Sequence, residues 1–255
     1  MEKEVSYSIT TFSSKGVLVQ CERALTAAKN GALSIGIRAS NGVVLASYKK
    51  APSSLVDKEK VRKTFKVCEG ICGTYSGLSG DFRVVLETAR EICIGYYKVY
   101  GRFPYVDTFM KEFSKVVQEK TQKGGLRPFG CMCLFGGYAP IRKEIRTKDE
   151  GEIEIVEVEE AVLQPLLFQI DPSGSIKCCF TSGIGSEYKE CSKFLSKRCT
   201  PEIEIHDAVV ISALGVKEFT ETPVTEDDVD ICILTADGVK IYAKKEIEEV
   251  LKSLQ

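Results

Sequence analysis

The spacing of apolar residues predicts a helix in front of the first strand. Residues 17–29 carry apolar side chains at helical intervals, and polar side chains occupy the other faces. The apolar positions are Leu18, Cys21, Leu25 and Ala28. Gly31 follows, as glycine often does just beyond a helix C-terminus. We therefore predict an added N-terminal helix before a fold that could begin later in the chain.

Four strand-like runs come next. Asn41 and Gly42 lie between two of the runs, and this dipeptide is a strong signal for a β-hairpin. The runs cover residues 34–38, 43–47, 64–68 and 71–76. We expect these four antiparallel strands to form the first sheet.

The rest of the chain alternates between helical and strand patterns. A long amphipathic helix begins near Asp81, a plausible N-cap, and a second helix covers residues 106–117. Strands are predicted at 129–135, 164–170, 176–180, 230–235 and 239–242, and further helices at 186–196, 202–217 and 247–254. This order predicts an α+β fold, a four-layer αββα sandwich with two sheets face to face.

Composition narrows the possible functions. The chain has 255 residues, 44% of them hydrophobic, and no linker divides it, so we predict a single domain over 1–255. Its net charge of −1 gives no reason to expect binding to nucleic acid or to an anionic membrane. No apolar signal core or membrane-spanning run is evident, which predicts a soluble intracellular protein.

The cysteines are expected to be reduced core residues. There are eleven, an odd number, with no CxxC pair, and His206 is the only histidine. Structural zinc is the weaker interpretation of this pattern, and no metal or other cofactor is predicted. His206 begins a predicted helix and is expected to be structural or exposed.

Five ordered blocks of residues resemble the alpha-type subunits of the 20S proteasome, and the alpha-2 type most closely. They are residues 10–13 with Gly16, Leu18, Val19, Gln20, Glu22, Ala24, Leu25 and Gly31; 41–46 with Lys49 and Lys50; 75–78 with Asp81 and Arg83; Thr121, Gln122, Gly124 and Gly125 with 127–130; and the turn 171–174. The resemblance implies the sandwich of the N-terminal-nucleophile hydrolases, with a lead-in helix at the outer face.

The resemblance also implies a place in a larger assembly. Alpha-type subunits form seven-membered rings that cap the catalytic beta rings, contribute to the substrate-entry gate and receive regulatory particles or other activators. The expected partners are other alpha-type subunits, beta-type subunits and an activator. The expected role is non-catalytic, in general and ubiquitin-dependent protein degradation in the cytoplasm and nucleus.

Catalysis can be examined residue by residue. A catalytic beta-type subunit needs an N-terminal threonine whose own amine acts as the base. Alignment on the hairpin at Asn41 places that position at Ala32, inside the chain, and the supporting aspartate position at Tyr48; only the lysine position keeps its type, at Lys63. No catalytic residue is therefore predicted. The alternative is a catalytic N-terminal-nucleophile hydrolase that is processed, for instance at Thr10 or Thr11.

Lys63 has a second role implied by the resemblance. A lysine at this position lines the pocket between neighbouring alpha subunits and pairs with the C-terminal carboxylate of an activator. Gly31 and Leu78 match positions near the same pocket. The alternative interpretation is an ordinary solvated lysine in the charged run 58–63.

The gate cluster of the family is altered. Open-gate alpha subunits use a tyrosine and an aspartate near the N-terminus, a turn proline and a helix tyrosine. The matching positions here are Val5, Ser6, Ser14 and Arg23. Because the hydroxyl and carboxylate groups of that cluster are missing, we predict an N-terminal tail (residues 1–31, with the lead-in helix) that is anchored differently.

A charged insertion replaces a short turn of the family at 139–163. In its second half, 152–160, carboxylates alternate with β-branched residues, which favours a strand with one acidic face. A solvated hairpin extension is the preferred interpretation, and a dedicated binding patch is the alternative.

Overall fold

The computed structural model describes residues 11–50, 53, 55–141, 162–220 and 222–254. The helices are α1 Val19–Lys29, α2 Ser79–Tyr100, α3 Val106–Glu119, α4 Tyr188–Arg198, α5 Ile205–Glu218 and α6 Lys244–Lys252. The strands are β1 Ser34–Ala39, β2 Gly42–Tyr48, β3 Thr64–Cys68, β4 Ile71–Gly77, β5 Cys131–Pro140, β6 Leu163–Ile170, β7 Ile176–Cys179, β8 Thr181–Ile184, β9 Val229–Thr235 and β10 Gly238–Ile241. A 3₁₀ turn covers Lys58–Lys60.

Two antiparallel sheets form the centre of the fold. One has the order β10-β9-β2-β1-β8 and the other the order β3-β4-β5-β6-β7. Helices α2 and α3 pack outside the second sheet, and α4, α5 and α6 pack outside the first. The arrangement is the predicted αββα sandwich, with α1 as the additional helix.

The central strands β1, β2, β4, β5 and β9 are buried on both faces, which explains their nearly continuous apolar sequences. Along β2, Val44 and Ala46 face the layer of α4 and α5, whereas Val43 and Leu45 point between the sheets. This alternation follows from the two-residue period of a strand. Each sheet thus shares one core with its helices and another with the opposite sheet.

The predicted first sheet of four strands was wrong. The hairpin β1–β2 belongs to one sheet and the hairpin β3–β4 to the other, so the connection after β2 crosses between layers. The pattern could not separate these cases, because both hairpins have two buried faces. The turn between β1 and β2 is shorter than the gap between the predicted runs: Ala39 pairs with Gly42, so Ser40 and Asn41 form it. The Asn41 side chain instead accepts a hydrogen bond from Ile205 N at the start of α5, at 3.0 Å.

The start of α2 differs from the prediction as well. The helix begins at Ser79 with Leu78 as its N-cap residue, so Asp81 is in the first turn and is not the cap. Asp81 accepts hydrogen bonds from both terminal nitrogens of Arg127 and from Gly130 N, at 2.5, 2.8 and 2.7 Å. These bonds lower the pKa of the Asp81 carboxyl, the Arg127 bond most of all. The carboxylate therefore ties the loop before β5 to α2.

Two further elements depart from the sequence pattern. Residues 176–184 contain two short strands, β7 and β8, which belong to different sheets; only the first was predicted. The charged insertion is bounded by β5 and β6, whose ends are joined by a bond from Ile141 N to Val162 O at 2.9 Å. The predicted acidic strand at 152–160 lies outside the described residues.

The cysteines mostly belong to the interior, as expected. Eight of the eleven are buried, Cys178 is exposed, and Cys21 and Cys179 are partly covered. Among the residues that the structure describes, no three histidine, cysteine or acidic side chains are placed to hold a metal ion. His206 is exposed in the first turn of α5.

None of the helices in the described part of the chain is long and apolar enough to cross a membrane.

Candidate functional site

Lys63 lies immediately before β3, and its backbone is held by a buried carboxylate of the opposite sheet. Asp230 of β9 is fully buried and accepts hydrogen bonds from Lys63 N at 2.8 Å and Thr64 N at 2.9 Å. The Thr64 hydroxyl donates to the same oxygen at 3.0 Å, and Arg62 pairs with the other oxygen at 3.3 Å. One carboxylate thus fixes three consecutive residues at the entry to β3.

The side chain of Lys63 is almost completely covered, with 6% of the residue exposed. Its ammonium lies over the ring of Tyr75, 4.4 Å from the ring centre. Within the described residues, Lys63 Nζ makes neither a hydrogen bond nor an ion pair. No fully enclosed side-chain nitrogen of that part of the chain lacks a hydrogen-bond partner, so Nζ itself retains access to the surface. The interpretation of Lys63 as an ordinary solvated lysine was therefore wrong.

Burial alters the acidity of this ammonium. Removal from water lowers the pKa of Lys63 from 10.5 to about 8, and the nearby Cys133 and Asp230 partly oppose this change. The group is still mostly charged at neutral pH. A buried ammonium that forms no ion pair costs stability.

A chain of hydroxyl groups fixes β4 beneath Lys63. Thr74 Oγ1 donates to Lys63 O at 2.9 Å and is 2.6 Å from Ser47 Oγ of β2. Ser34 Oγ of β1 donates to Tyr75 O at 2.8 Å. The hydroxyls join β1, β2 and β4 across the two sheets, so the backbone around Lys63 has little freedom.

Gly31 lies at the C-terminal end of β4, and Leu78 is the residue that follows this strand. Gly31 packs so closely on Ser76 and Gly77 that a Cβ atom would lie 2.1 Å from Gly77 N. Gly77 has a φ of +113°, and a Cβ there would lie 2.3 Å from Gly130 O. Leu78 follows directly and is 49% exposed. Backbone contact at this point, which we call the glycine junction (Gly31, Gly77 and Gly130), therefore requires residues without a side chain.

The glycine junction also attaches α1 to the sandwich. Ser76 Oγ donates to Ala28 O at the end of α1, at 3.0 Å, and Ala28 is fully buried. Strand β4 and the residue after it thus connect the three predicted docking residues: Tyr75 contacts Lys63, Gly77 contacts Gly31, and Leu78 follows Gly77. Lys63 and Gly31 therefore contact residues two positions apart on one strand, and Leu78 is the next residue in the chain.

Of the four gate positions, Ser14 and Arg23 lie in the described part of the chain, and Val5 and Ser6 lie outside it. Ser14 is exposed in a turn closed by Gly16 N to Ser13 O at 2.8 Å and Ser13 N to Val17 O at 2.9 Å. The turn therefore forms without the family's proline. Arg23 is exposed on α1. The prediction of a differently anchored tail stays a prediction.

The position that aligns with a catalytic nucleophile carries no nucleophilic side chain. Ala32 lies inside the chain, between the glycine junction and β1, and lines a cavity of about 170 Å³ together with Tyr48, Lys50 and Glu187. The Tyr48 hydroxyl is 3.1 Å from Thr222 Oγ1. Lys63 does not line this cavity. The aligned nucleophile and aspartate positions are together, but neither carries a reactive group.

Sequence reasoning missed the residues that support Lys63. A signal existed for Asp230, which is the one charged residue in the otherwise apolar run of β9 and so required buried partners. Tyr75 carried no such signal, since an aromatic residue in a strand is ordinary core material. Its contact with Lys63 arises only from the pairing of β3 with β4.

Comparison with known proteins finds similarity to proteasome subunits in each case. Residues 28–145 match a family model described as "Proteasome subunit". "Proteasome subunit alpha type-2" of Oryza sativa subsp. indica is 36% identical over 255 residues, covering 100% of this chain and 99% of the relative. "Proteasome subunit alpha type-2-A" of Arabidopsis thaliana gives the same identity and coverage. "Proteasome subunit alpha type-2" of Dictyostelium discoideum is 36% identical over 255 residues, covering 100% of each chain.

Proposed function

The chain belongs to the family of proteasome alpha-type subunits, and from this membership we propose that it is a non-catalytic subunit of the outer ring of the 20S particle. In this role it packs beside other alpha-type subunits in a seven-membered ring and against beta-type subunits. It contributes to the entry gate and to activator docking in intracellular protein degradation, with no cofactor. We further propose a location in cytoplasm and nucleus.

One observation carries the non-catalytic role: helix α1 precedes the nucleophile position and is fixed there. The bond from Ser76 to Ala28 and the glycine junction fix the end of α1 to β4, only a few residues before Ala32. A free amine at Ala32 would require removal of a packed helix, and even then alanine offers no nucleophile. The catalytic alternative is therefore not favoured.

Two measurements on the native protein test the proposed assembly. Native mass spectrometry or electron microscopy of the complex purified through this chain should find it in a ring of seven alpha-type subunits, stacked on beta-type subunits. Intact mass of the chain should show no cleavage between α1 and β1. A mature chain that starts at an internal threonine, serine or cysteine would establish the catalytic alternative instead.

For activator docking, we propose that Lys63 binds a C-terminal carboxylate. The supporting observation is a covered ammonium with surface access that forms no ion pair within the described residues. A carboxylate would supply the missing charge in a site of low polarity, where such a pair is strong. We propose that Gly31 and Leu78 belong to the same docking pocket, and the close packing of Gly31 on Gly77 supports this.

Substitution of Lys63 tests this docking role. In assembled particles, Lys63→Glu and Lys63→Met should both abolish activator-stimulated peptide hydrolysis that depends on this pocket. Lys63→Met keeps the length of the side chain and removes an uncompensated buried charge, so the subunit should remain folded. Lys60→Met is the matched control, because Lys60 lies on the exposed 3₁₀ turn. Unchanged stimulation in both Lys63 variants would exclude the docking role.

A further inference from the structure

We propose that Tyr75 is a positioning residue for Lys63: the face of its ring holds the ammonium where a C-terminal carboxylate can reach it. This inference rests on the proposed docking role of Lys63. It adds a residue that does not contact the activator itself and acts only through the lysine.

The ring of Tyr75 is itself held rigidly. Only 7% of Tyr75 is exposed, and its ring stacks on that of Phe82 with centres 3.9 Å apart and planes 9° apart. Phe65 closes the cluster, 5.1 Å from Phe82 and 6.4 Å from Tyr75. Because Phe82 belongs to α2 and Tyr75 to β4, the ring is fixed between a helix and a sheet. The ammonium therefore lies on a surface that cannot rotate away.

The two ends of the Lys63 side chain are fixed by different contacts. At the backbone, Asp230 holds the amide nitrogen and Thr74 holds the carbonyl oxygen. At the tip, the ring of Tyr75 holds Nζ. A lysine has four flexible side-chain torsions, and ordering them on binding would weaken the affinity. Fixing both ends in advance removes most of that cost.

The electrostatic surroundings explain why the ring matters. The charged or titratable groups that influence Lys63 or Tyr75 are Cys133 and Cys131 of β5, Asp230 of β9 with its partner Arg62, Lys49 near Asp230, and Arg83 of α2. Asp230 is already occupied by four donors. The electron-rich ring face is thus the attractive group in direct contact with the ammonium, and it favours the charged form.

Four variants in assembled particles test the proposal. The probe is a short synthetic peptide that copies the C-terminus of an activator subunit, compared with its C-terminal amide; the readout is the peptide concentration for half-maximal stimulation of hydrolysis. Tyr75→Leu should raise this concentration about tenfold, whereas Tyr75→Phe, which keeps the ring face, should stay within about twofold. Phe65→Leu is the packing control: the ring of Phe65 belongs to the same cluster but does not contact Lys63. In this variant the half-maximal peptide concentration should also stay within about twofold of wild type.

The pH profile provides a readout that loss of packing alone would not change. Carboxylate binding requires the charged lysine, so wild-type stimulation should be present at neutral pH and decline as the pH rises through about 8. Without the ring face, less attraction opposes the lowering of the Lys63 pKa by burial. In Tyr75→Leu, stimulation should therefore decline at a lower pH than in wild type. Phe65→Leu should keep the wild-type profile.

Each result has a defined meaning. Equal affinities and equal pH profiles in wild type and Tyr75→Leu would overturn the proposal, and so would matching losses in Tyr75→Leu and Phe65→Leu. Lys63→Met separates this outcome from failure of the docking role: if Lys63→Met binds the peptide normally, the docking role itself is wrong. Should Tyr75→Leu fail to assemble, Tyr75→Met has a longer and more flexible side chain that can adapt to the same space, and it provides the same comparison.

Discussion

Lys63 and Ala32 differ in how the structure surrounds them. Lys63 is covered, and Asp230, Thr74 and Tyr75 contact its backbone and its ammonium. The position that aligns with a nucleophile, Ala32, has no reactive group, and the position that aligns with the aspartate is Tyr48, whose hydroxyl lies 3.1 Å from Thr222 Oγ1. Ala32 and Tyr48 are both partly exposed.

The difference shows which part of the arrangement remains useful without catalysis. An ammonium contributes to this kind of hydrolysis only beside a nucleophile, but without one it can still bind a carboxylate. Maintaining it costs desolvation, which the buried contacts of Asp230 and Tyr75 oppose. At Ala32, no comparable set of contacts supports a reactive side chain. The contrast predicts that perturbations near Lys63 and β4 have large effects and perturbations near Ala32 small ones.

The largest effect is expected from Asp230→Ala. This change leaves the buried amides of Lys63 and Thr64 without an acceptor and releases Arg62. We expect the free energy of unfolding to fall by roughly 3 to 5 kcal/mol. Chemical unfolding of the purified chain measures the change, and incorporation into particles should fall in parallel. Asp237→Ala, at an exposed position in the following turn, should stay within about 0.5 kcal/mol.

Gly77→Ala should be the next most damaging change. The new Cβ would have to lie beside Gly130 O in a backbone conformation that alanine rarely adopts. The expected loss is at least about 2 kcal/mol. Gly80→Ala is the matched control and should raise the free energy of unfolding slightly. Gly80 lies in the first turn of α2, where a Cβ meets nothing within 4 Å and alanine favours the helix. Equal effects from the two glycine variants would contradict the close approach at the glycine junction.

A smaller effect is expected from Ser76→Ala. The variant loses the hydrogen bond to Ala28 O that attaches the end of α1, at a cost of about 1 kcal/mol. Hydrogen exchange should then accelerate in the amides of α1 but remain unchanged in β1 and β2. Ser196→Ala removes an exposed hydroxyl on α4 and should leave α1 unaffected. If exchange in α1 did not change in Ser76→Ala, the glycine contacts alone would hold the helix.

The smallest effect is predicted where catalysis would have been. The double variant Ala32→Thr with Tyr48→Asp restores two aligned residue types but not a free amine, because α1 still precedes residue 32. An electrophilic peptide probe should therefore label the variant no more than the wild-type chain. Covalent labelling at residue 32, detected by peptide mass, would show that the helix does not prevent catalysis.

The fold was more accessible to prediction than the support of the site. Apolar spacing located the helices within a few residues, as in α3, and the hydrophobic runs located nine of the ten strands. Apolar spacing failed where two topologies share one pattern. The sequence predicts β3 and β4 in the same sheet as β1 and β2, yet they belong to the opposite sheet. Local periodicity reports which residues are buried, and it contains no information about which strand lies beside which.

By itself, the sequence determined the layered class of the fold, the helix before Ala32 and the lack of a nucleophile there, since these follow from periodicity and residue type. The tertiary structure decided that Lys63 is covered, that Tyr75 faces its ammonium and that Asp230, distant in the chain, fixes its backbone. Burial and ring contacts depend on strand pairing across the two sheets. That pairing is set by the packing of the whole chain, and no short segment encodes it.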